Sequence, residues 1–185
     1  MSSPDQDPDE RLPAESLWDP IYLMGVSGCG KTVVGEELAQ KLNGTLIDGD
    51  DLHPPANKEK MGAGIPLSDE DRYPWFEAIR QSILTTDQRP VIVACSALKR
   101  SYRDILREGQ GRAIFVYLEG DFDLIMSRIK KRDHEYMPTD LLRSQFEALE
   151  EPEADEPVIE MNIAPDLGEI VIRLIKKLTD PEASS

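Results

Sequence analysis

Apolar residues along this chain come in short continuous runs that alternate with stretches of helical spacing. Ile21-Tyr-Leu-Met24 is an apolar run that ends at a glycine-rich segment, the pattern of a buried strand. Over residues 32–42 the apolar positions Val34, Leu38 and Leu42 keep the spacing of an amphipathic helix. Residues 45–47 read as a second strand, 69–84 as a helix with a break near Pro74, and the β-branched run 91–94 as a third strand. Residues 98–106 are amphipathic, 113–118 read as a fourth strand, and 122–129 and 141–149 as helices around a charged stretch. A fifth strand over 158–163 and a helix over 167–178 close the pattern. Such alternation predicts an α/β fold, a five-stranded parallel sheet flanked by helices. In sheets of this kind ligands gather at the carboxyl ends of the strands.

The length, 185 residues, suits one domain with a full core. Residues 1–19 hold three prolines, many carboxylates and little periodicity, so they read as a disordered acidic tail. With 180–185 read as a frayed end, one domain over 20–179 remains. The formal net charge of −15 repels polyanions, so no nucleic-acid partner is expected. No apolar run reaches the roughly 18 residues a membrane helix needs, and the acidic start lacks the marks of a secretory signal. Two distant cysteines, Cys29 and Cys95, make neither a disulfide framework nor a zinc site and suit reduced thiols in the cytoplasm.

The chemistry begins after the first strand. Gly25-Val-Ser-Gly-Cys-Gly-Lys-Thr32 matches G-x-x-x-x-G-K-[ST] in full and lies between a strand and a helix, the context this phosphate-binding loop requires. Gly25, Val26, Ser27, Gly28, Cys29 and Gly30 are expected to curl their backbone around the phosphates of ATP. Lys31 is placed to reach the β- and γ-phosphates, and the Thr32 hydroxyl to ligate Mg²⁺. A GTPase reading fails, because no glycine has an aspartate three residues before it and Asn57-Lys-Glu-Lys60 lacks the base-reading aspartate. The strand over 91–94 ends in Cys95-Ser96 rather than in the metal-binding aspartate of a motor ATPase. A short kinase of metabolites or nucleotides remains, with a shikimate-type kinase, a nucleoside monophosphate kinase and a non-catalytic nucleotide-binding switch as alternatives.

Carboxylates gather in Asp48-Gly-Asp-Asp-Leu-His53, after the second strand. If the backbone stays extended, Asp48 and Asp50 point the same way. One can then hold a metal-bound water while the other accepts a hydroxyl proton. His53 is a candidate substrate contact. Arg128 and Arg132, four apart, share a helix face beside the charged stretch, which reads as a lid over about 128–142. Trp75 and Phe76 read as core, and Pro165 as a candidate adenine contact.

These segments together resemble the gluconokinase family of small P-loop kinases. The resemblance rests on Met24-Gly-Val-Ser-Gly-Cys-Gly-Lys-Thr32, Asp48-Gly-Asp-Asp-Leu-His-Pro54, the block from Asn57 through Lys60-Met-Gly and Asp71-Arg-Tyr-Pro-Trp75, Ala94-Cys-Ser-Ala-Leu-Lys-Arg100 and Leu141-Leu-Arg-Ser-Gln-Phe-Glu-Ala-Leu-Glu150. It covers about residues 21 to 178. It implies a fold like that of adenylate and shikimate kinases, ATP and D-gluconate as substrates, Mg²⁺, and a cytosolic homodimer. It further implies Asp50 at the attacking hydroxyl, Arg72 on the substrate carboxylate, and Lys60, Ser96 and Lys99 nearby. Arg128 falls to ATP and Arg132 to the transferring phosphate. One departure stands out. Where the family reads Gly-His-Phe-Met in the lid, this chain has His134-Glu-Tyr-Met137.

Overall fold

The structure, a computed structural model, describes residues 18–131 and 139–179. Five parallel strands form its sheet: β1 (Ile21–Met24), β2 (Thr45–Asp48), β3 (Val91–Ala94), β4 (Ile114–Glu119) and β5 (Val158–Asn162). Their order is β2-β3-β1-β4-β5. Every residue of β1 and β3 is buried, as expected for parallel strands covered on both faces. Side chains alternate across the sheet, so Ile21 and Leu23 enter one apolar layer and Tyr22 and Met24 the other. The first layer is closed by α1 (Lys31–Leu42), α5 (Phe122–Lys131), α6 (Thr139–Ala148) and α7 (Leu167–Thr179). The second is closed by α3 (Asp69–Leu84) and α4 (Arg100–Arg107). The expected five-stranded sheet is thus present, with element ends shifted by a residue or two.

Three expectations change. The helix over 69–84 does not break at Pro74, which lies inside a continuous α3. Its missing N–H costs about 3 kcal/mol. Burial of Trp75, Phe76, Ile79 and Ile83, at about 1.5–3 kcal/mol each, outweighs that. A capping box also fixes the first turn, with Ser68 Oγ accepting from the Asp71 amide and Asp71 Oδ2 from the Ser68 amide. Next, Trp18 and Asp19, read as tail, belong to the fold. Trp18 packs on the core under Arg112, and Asp19 Oδ1 accepts from the Val91 amide at 3.0 Å. Finally, two short elements follow β2, a 3-10 turn at Gly49–Leu52 and helix α2 (Pro55–Gly62).

Candidate active site

At the carboxyl end of β1 the chain turns sharply into α1. Gly25 has φ 140°, and a Cβ there would meet Cys29 Sγ at 2.9 Å and the Leu118 carbonyl at 3.1 Å. Gly28 has φ 80°, and its Cβ would stand 2.6 Å from Ile129 of α5. Both positions therefore demand glycine. Gly30 caps α1 without a side-chain bond, and no acid occupies the first turn. The free N–H groups and the positive helix end are left for an anion. By contrast α3 opens on Asp69, Glu70 and Asp71. The Lys31 ammonium lies along the inside of the loop, donating to the carbonyls of Gly25 (2.9 Å) and Val26 (3.0 Å).

Thr32 and Asp48 meet beside the loop. Thr32 Oγ1 donates to Asp48 Oδ2 at 3.0 Å, and Asp48 Oδ1 accepts from the Asp50 amide at 3.0 Å. The extended backbone assumed for Asp48 and Asp50 is not found. The chain bends into the 3-10 turn at Gly49, so Asp48 caps the turn while Asp50 projects from it. Trp75 Nε1 donates to the Gly49 carbonyl at 2.6 Å and pins that turn to α3. Asp50 reaches solvent, yet protein packed around it removes part of its hydration. That loss, together with the neighbouring Asp48 and Asp51, raises its carboxyl above the usual range, while Lys31 opposes the shift.

The end of β3 forms the other wall. The Gly25 amide donates to the Ser96 carbonyl at 3.1 Å, which joins the phosphate loop to the segment 95–99. Ala97 there adopts φ 43°. Arg103, wholly buried, holds this bend. Its Nη1 donates to the carbonyls of Ala97 (3.2 Å) and Glu150 (3.1 Å), and its Nε and Nη2 grip both oxygens of buried Glu156 at 2.7 Å. The Cys95 thiol, pushed up to about 12 by burial, feels the charges of Lys31, Asp50 and Arg72. The high value makes the thiol an inert packing group.

Arg72 lies over the Tyr102 ring at 5.4 Å, and one of its nitrogens donates to the Leu67 carbonyl at 3.3 Å. Its Nε is buried without a partner among the described residues. The neighbouring lysines are already neutralised. Lys99 pairs with Asp69 at 3.3 Å, and Tyr102 Oη donates to the same carboxylate at 2.5 Å. Lys60 pairs with Asp71 at 2.7 Å. His53 is buried and stacks on Trp75 at 3.9 Å. Burial, then the cations Arg72 and Lys58, lower its imidazole to about 4, so it is neutral near pH 7.

On the opposite side of the loop lies a cavity of about 350 Å³, lined by Gly28, Gly30, Arg128, Lys131, Pro165 and Leu167 among others. Arg128 also donates to the Ile163 carbonyl. The structure thus brings Lys31, Thr32, Asp48, Asp50, Arg72 and Ser96 to one side and Arg128 and Pro165 to the other. Arg132 and the departure at 134–137 lie outside the described residues. Sequence reasoning gave no role to Tyr102, Asp69, Arg103 or Glu156. Their partners are 33 and 53 positions away in the chain, beyond any local pattern.

A phosphate cradle at the switch point of a parallel sheet, with a cavity on one side and the Asp48–Asp50 turn on the other, is the arrangement of a P-loop kinase of small molecules. The shikimate kinase family model matches residues 27–160. The chain is 47% identical over 153 residues to the thermosensitive gluconokinase of Escherichia coli (strain K12), covering 81% of this chain and 82% of that protein. It is 46% identical over 164 residues to the thermoresistant gluconokinase of the same strain, covering 85% and 94%. The crystal structure of a gluconokinase from Sinorhizobium meliloti 1021 superposes with a TM-score of 0.80 at 44% identity, covering 88% of this chain and 92% of that one. The chain belongs to the gluconokinase family.

Proposed function

We propose that the protein transfers the γ-phosphate of ATP to the 6-hydroxyl of D-gluconate, giving 6-phospho-D-gluconate and ADP. The observation that carries this reading is the hydrogen-bonded chain from Thr32 through Asp48 to the Asp50 amide, which ties the acidic turn to the phosphate loop and its Lys31. It sets a phosphate-binding ammonium beside a carboxylate of raised basicity, with Arg72, whose Nε has no partner among the described residues, on the neighbouring α3, in a chain of the gluconokinase family. The nucleoside occupies the cavity beside Arg128 and Pro165, and the phosphates follow the loop toward Lys31. Asp50 orients the attacking hydroxyl and takes its proton as the new O–P bond forms and the bond to the β-phosphate oxygen breaks. Arg72 holds the carboxylate at the far end of the substrate, with Ser96, Lys99, Lys60 and His53 around it. Arg132 supplies a second cation to the transferring phosphate.

The residues fit Mg²⁺. Thr32 Oγ1 donates its hydrogen bond to Asp48, which leaves the lone pairs of the Thr32 oxygen free for a cation. Magnesium takes one or two protein ligands and fills the rest of its shell with water and phosphate oxygens. When bound there it neutralises charge on the β- and γ-phosphates. The same reading places a homodimer in the cytoplasm, which light scattering and cell fractionation check.

An acceptor panel tests the function. ATP and Mg²⁺ are combined with D-gluconate, shikimate, nucleoside monophosphates or no acceptor, and ADP release is followed. Rapid ADP release with gluconate alone is expected. Release only with shikimate or a nucleoside monophosphate overturns the reading, and ATP binding without any acceptor turnover points to a nucleotide-binding switch.

A further inference from the structure

Helix α6 reaches the phosphate loop through one side chain. Gln145 Oε1 accepts from the Ser27 amide at 2.7 Å, and Gln145 Nε2 donates to Ser27 Oγ at 2.9 Å, across 118 positions of sequence. Two bonds of opposite sense to one residue fix which way the carboxamide faces. One Nε2 hydrogen is used on Ser27, and the second has no partner among the described residues. Ser27 also holds a particular place on the loop. Gly25, before it, is bonded to Ser96 on the acceptor side, and Gly28 to Gly30, after it, line the nucleoside cavity. On the phosphotransfer reading, a phosphate chain running from that cavity toward the acceptor has its transferable end beyond Gly28, on the Ser27 side of the loop.

We propose that Gln145 is a ligand of the γ-phosphate, with Ser27 orienting its carboxamide and the free Nε2 hydrogen donating to an equatorial oxygen. This rests on the phosphotransfer reading above. A neutral donor suits the place, since Lys31 already supplies the cation, and a fixed dipole aimed at developing charge needs no rearrangement during transfer. It also gives the loop a means of distinguishing triphosphate from diphosphate, because ADP leaves this donor without a partner.

Gln145→Glu separates this role from a structural one. Glutamate is isosteric and still accepts from the Ser27 amide, so a purely structural glutamine tolerates it. A phosphate ligand does not, because the donor is lost and a negative charge faces the phosphate. The expected result is a fall in kcat of about 10²-fold, the scale of one lost donor at developing charge. Calorimetry should show weaker ATP binding with ADP affinity kept within about twofold. Gln145→Met, which removes both bonds without adding charge, should lower kcat by about tenfold and also spare ADP. It carries the test alone if the glutamate variant does not fold. Near-normal kcat in either variant, or an equal loss of ATP and ADP affinity, overturns the proposal. The nucleotide affinities need no acceptor, so they test Gln145 even if the wild-type protein fails to phosphorylate gluconate.

Discussion

Thr32 on the first turn of α1 donates its hydroxyl proton to Asp48 at the end of β2, at 3.0 Å. The bond settles how two residues divide one task. Thr32 turns its lone pairs outward, and Asp48, accepting from both Thr32 and the Asp50 amide, holds Thr32 and the Asp50 turn together. In the proposed Mg²⁺ site, Asp48 would act on the cation through Thr32 or through water. Asp48→Asn keeps the cap on the Asp50 amide but sets an N–H or a weaker acceptor against the hydroxyl. The Mg²⁺ concentration for half-maximal activity should rise by about tenfold or more, the usual cost of losing a group that orients a metal ligand. Titrating Mg²⁺ at saturating ATP checks this, and an unchanged midpoint removes Asp48 from the cation site.

Arg103 predicts a different kind of failure. It is a fully buried cation whose loss leaves Glu156 charged and unpaired and the Ala97 carbonyl unsatisfied. Removing one partner of a buried pair costs about 3–5 kcal/mol. Arg103→Met should therefore lower stability by that amount in urea unfolding. Replacing Glu156 as well should recover only part of it, because the backbone carbonyls held by Arg103 remain unpaired. Full recovery in the double variant would show that the guanidinium does not hold the bend at Ala97.

The same residues show what the sequence made legible. The phosphate loop was readable because its backbone demands glycine at fixed positions, and Gly25 and Gly28 meet that demand against Cys29 and Ile129. Strands such as 21–24 and 91–94 were readable because both their faces are buried. Helix α2 was not, since Asn57 is its only buried residue and no apolar stripe marks it. The bend after Asp48 was hidden because the Trp75 indole, 26 positions away, fixes the turn. Arg103 and Glu156 carry charges that a linear pattern assigns to the surface, and only the tertiary pairing buries them.

His53 makes stability depend on pH. Its imidazole is lowered to about 4 in the folded protein, against an ordinary 6.5. Between those values the unfolded chain binds a proton that the folded chain refuses. Stability is therefore complete above the ordinary value and is lost as pH falls toward about 4, by at most about 1.4 kcal/mol per pH unit. Asp69, lowered by the hydrogen bonds from Tyr102 and Lys99, and Asp71, lowered by those from Lys60 and the Ser68 amide, shift away from this window. Urea unfolding at about pH 5 and about pH 7 should show the difference, and His53→Asn should flatten it. An equal pH slope in the variant would assign the effect elsewhere.

Asp50 and Arg72 should fail in separable ways, because the proposed reading sets them at opposite ends of one substrate. Asp50 projects from the turn beside Lys31, and its raised carboxyl makes it a better base than an ordinary aspartate. Protonation disables it, so the acid limb of kcat should fall at a higher pH than for an unperturbed carboxylate. Asp50→Asn retains shape and hydrogen bonding but loses the base, so kcat should drop, the acid limb should vanish and the KM for gluconate should change little. Arg72 lies over Tyr102 with its Nε unsatisfied, while Asp69 and Asp71 already neutralise Lys99 and Lys60. Of the cations proposed to face the acceptor, Arg72 is therefore the one poised to take an incoming carboxylate. Arg72→Met removes a charge-assisted bond worth about 2–3 kcal/mol and should raise the KM for gluconate by roughly 30–150-fold. The KM for ATP should hold, since the cavity proposed for the nucleoside lies across the loop. Steady-state kinetics with each substrate varied in turn decides the matter. A rise in the KM for ATP with that for gluconate spared would move Arg72 to the nucleotide side and dissolve the assignment of both ends.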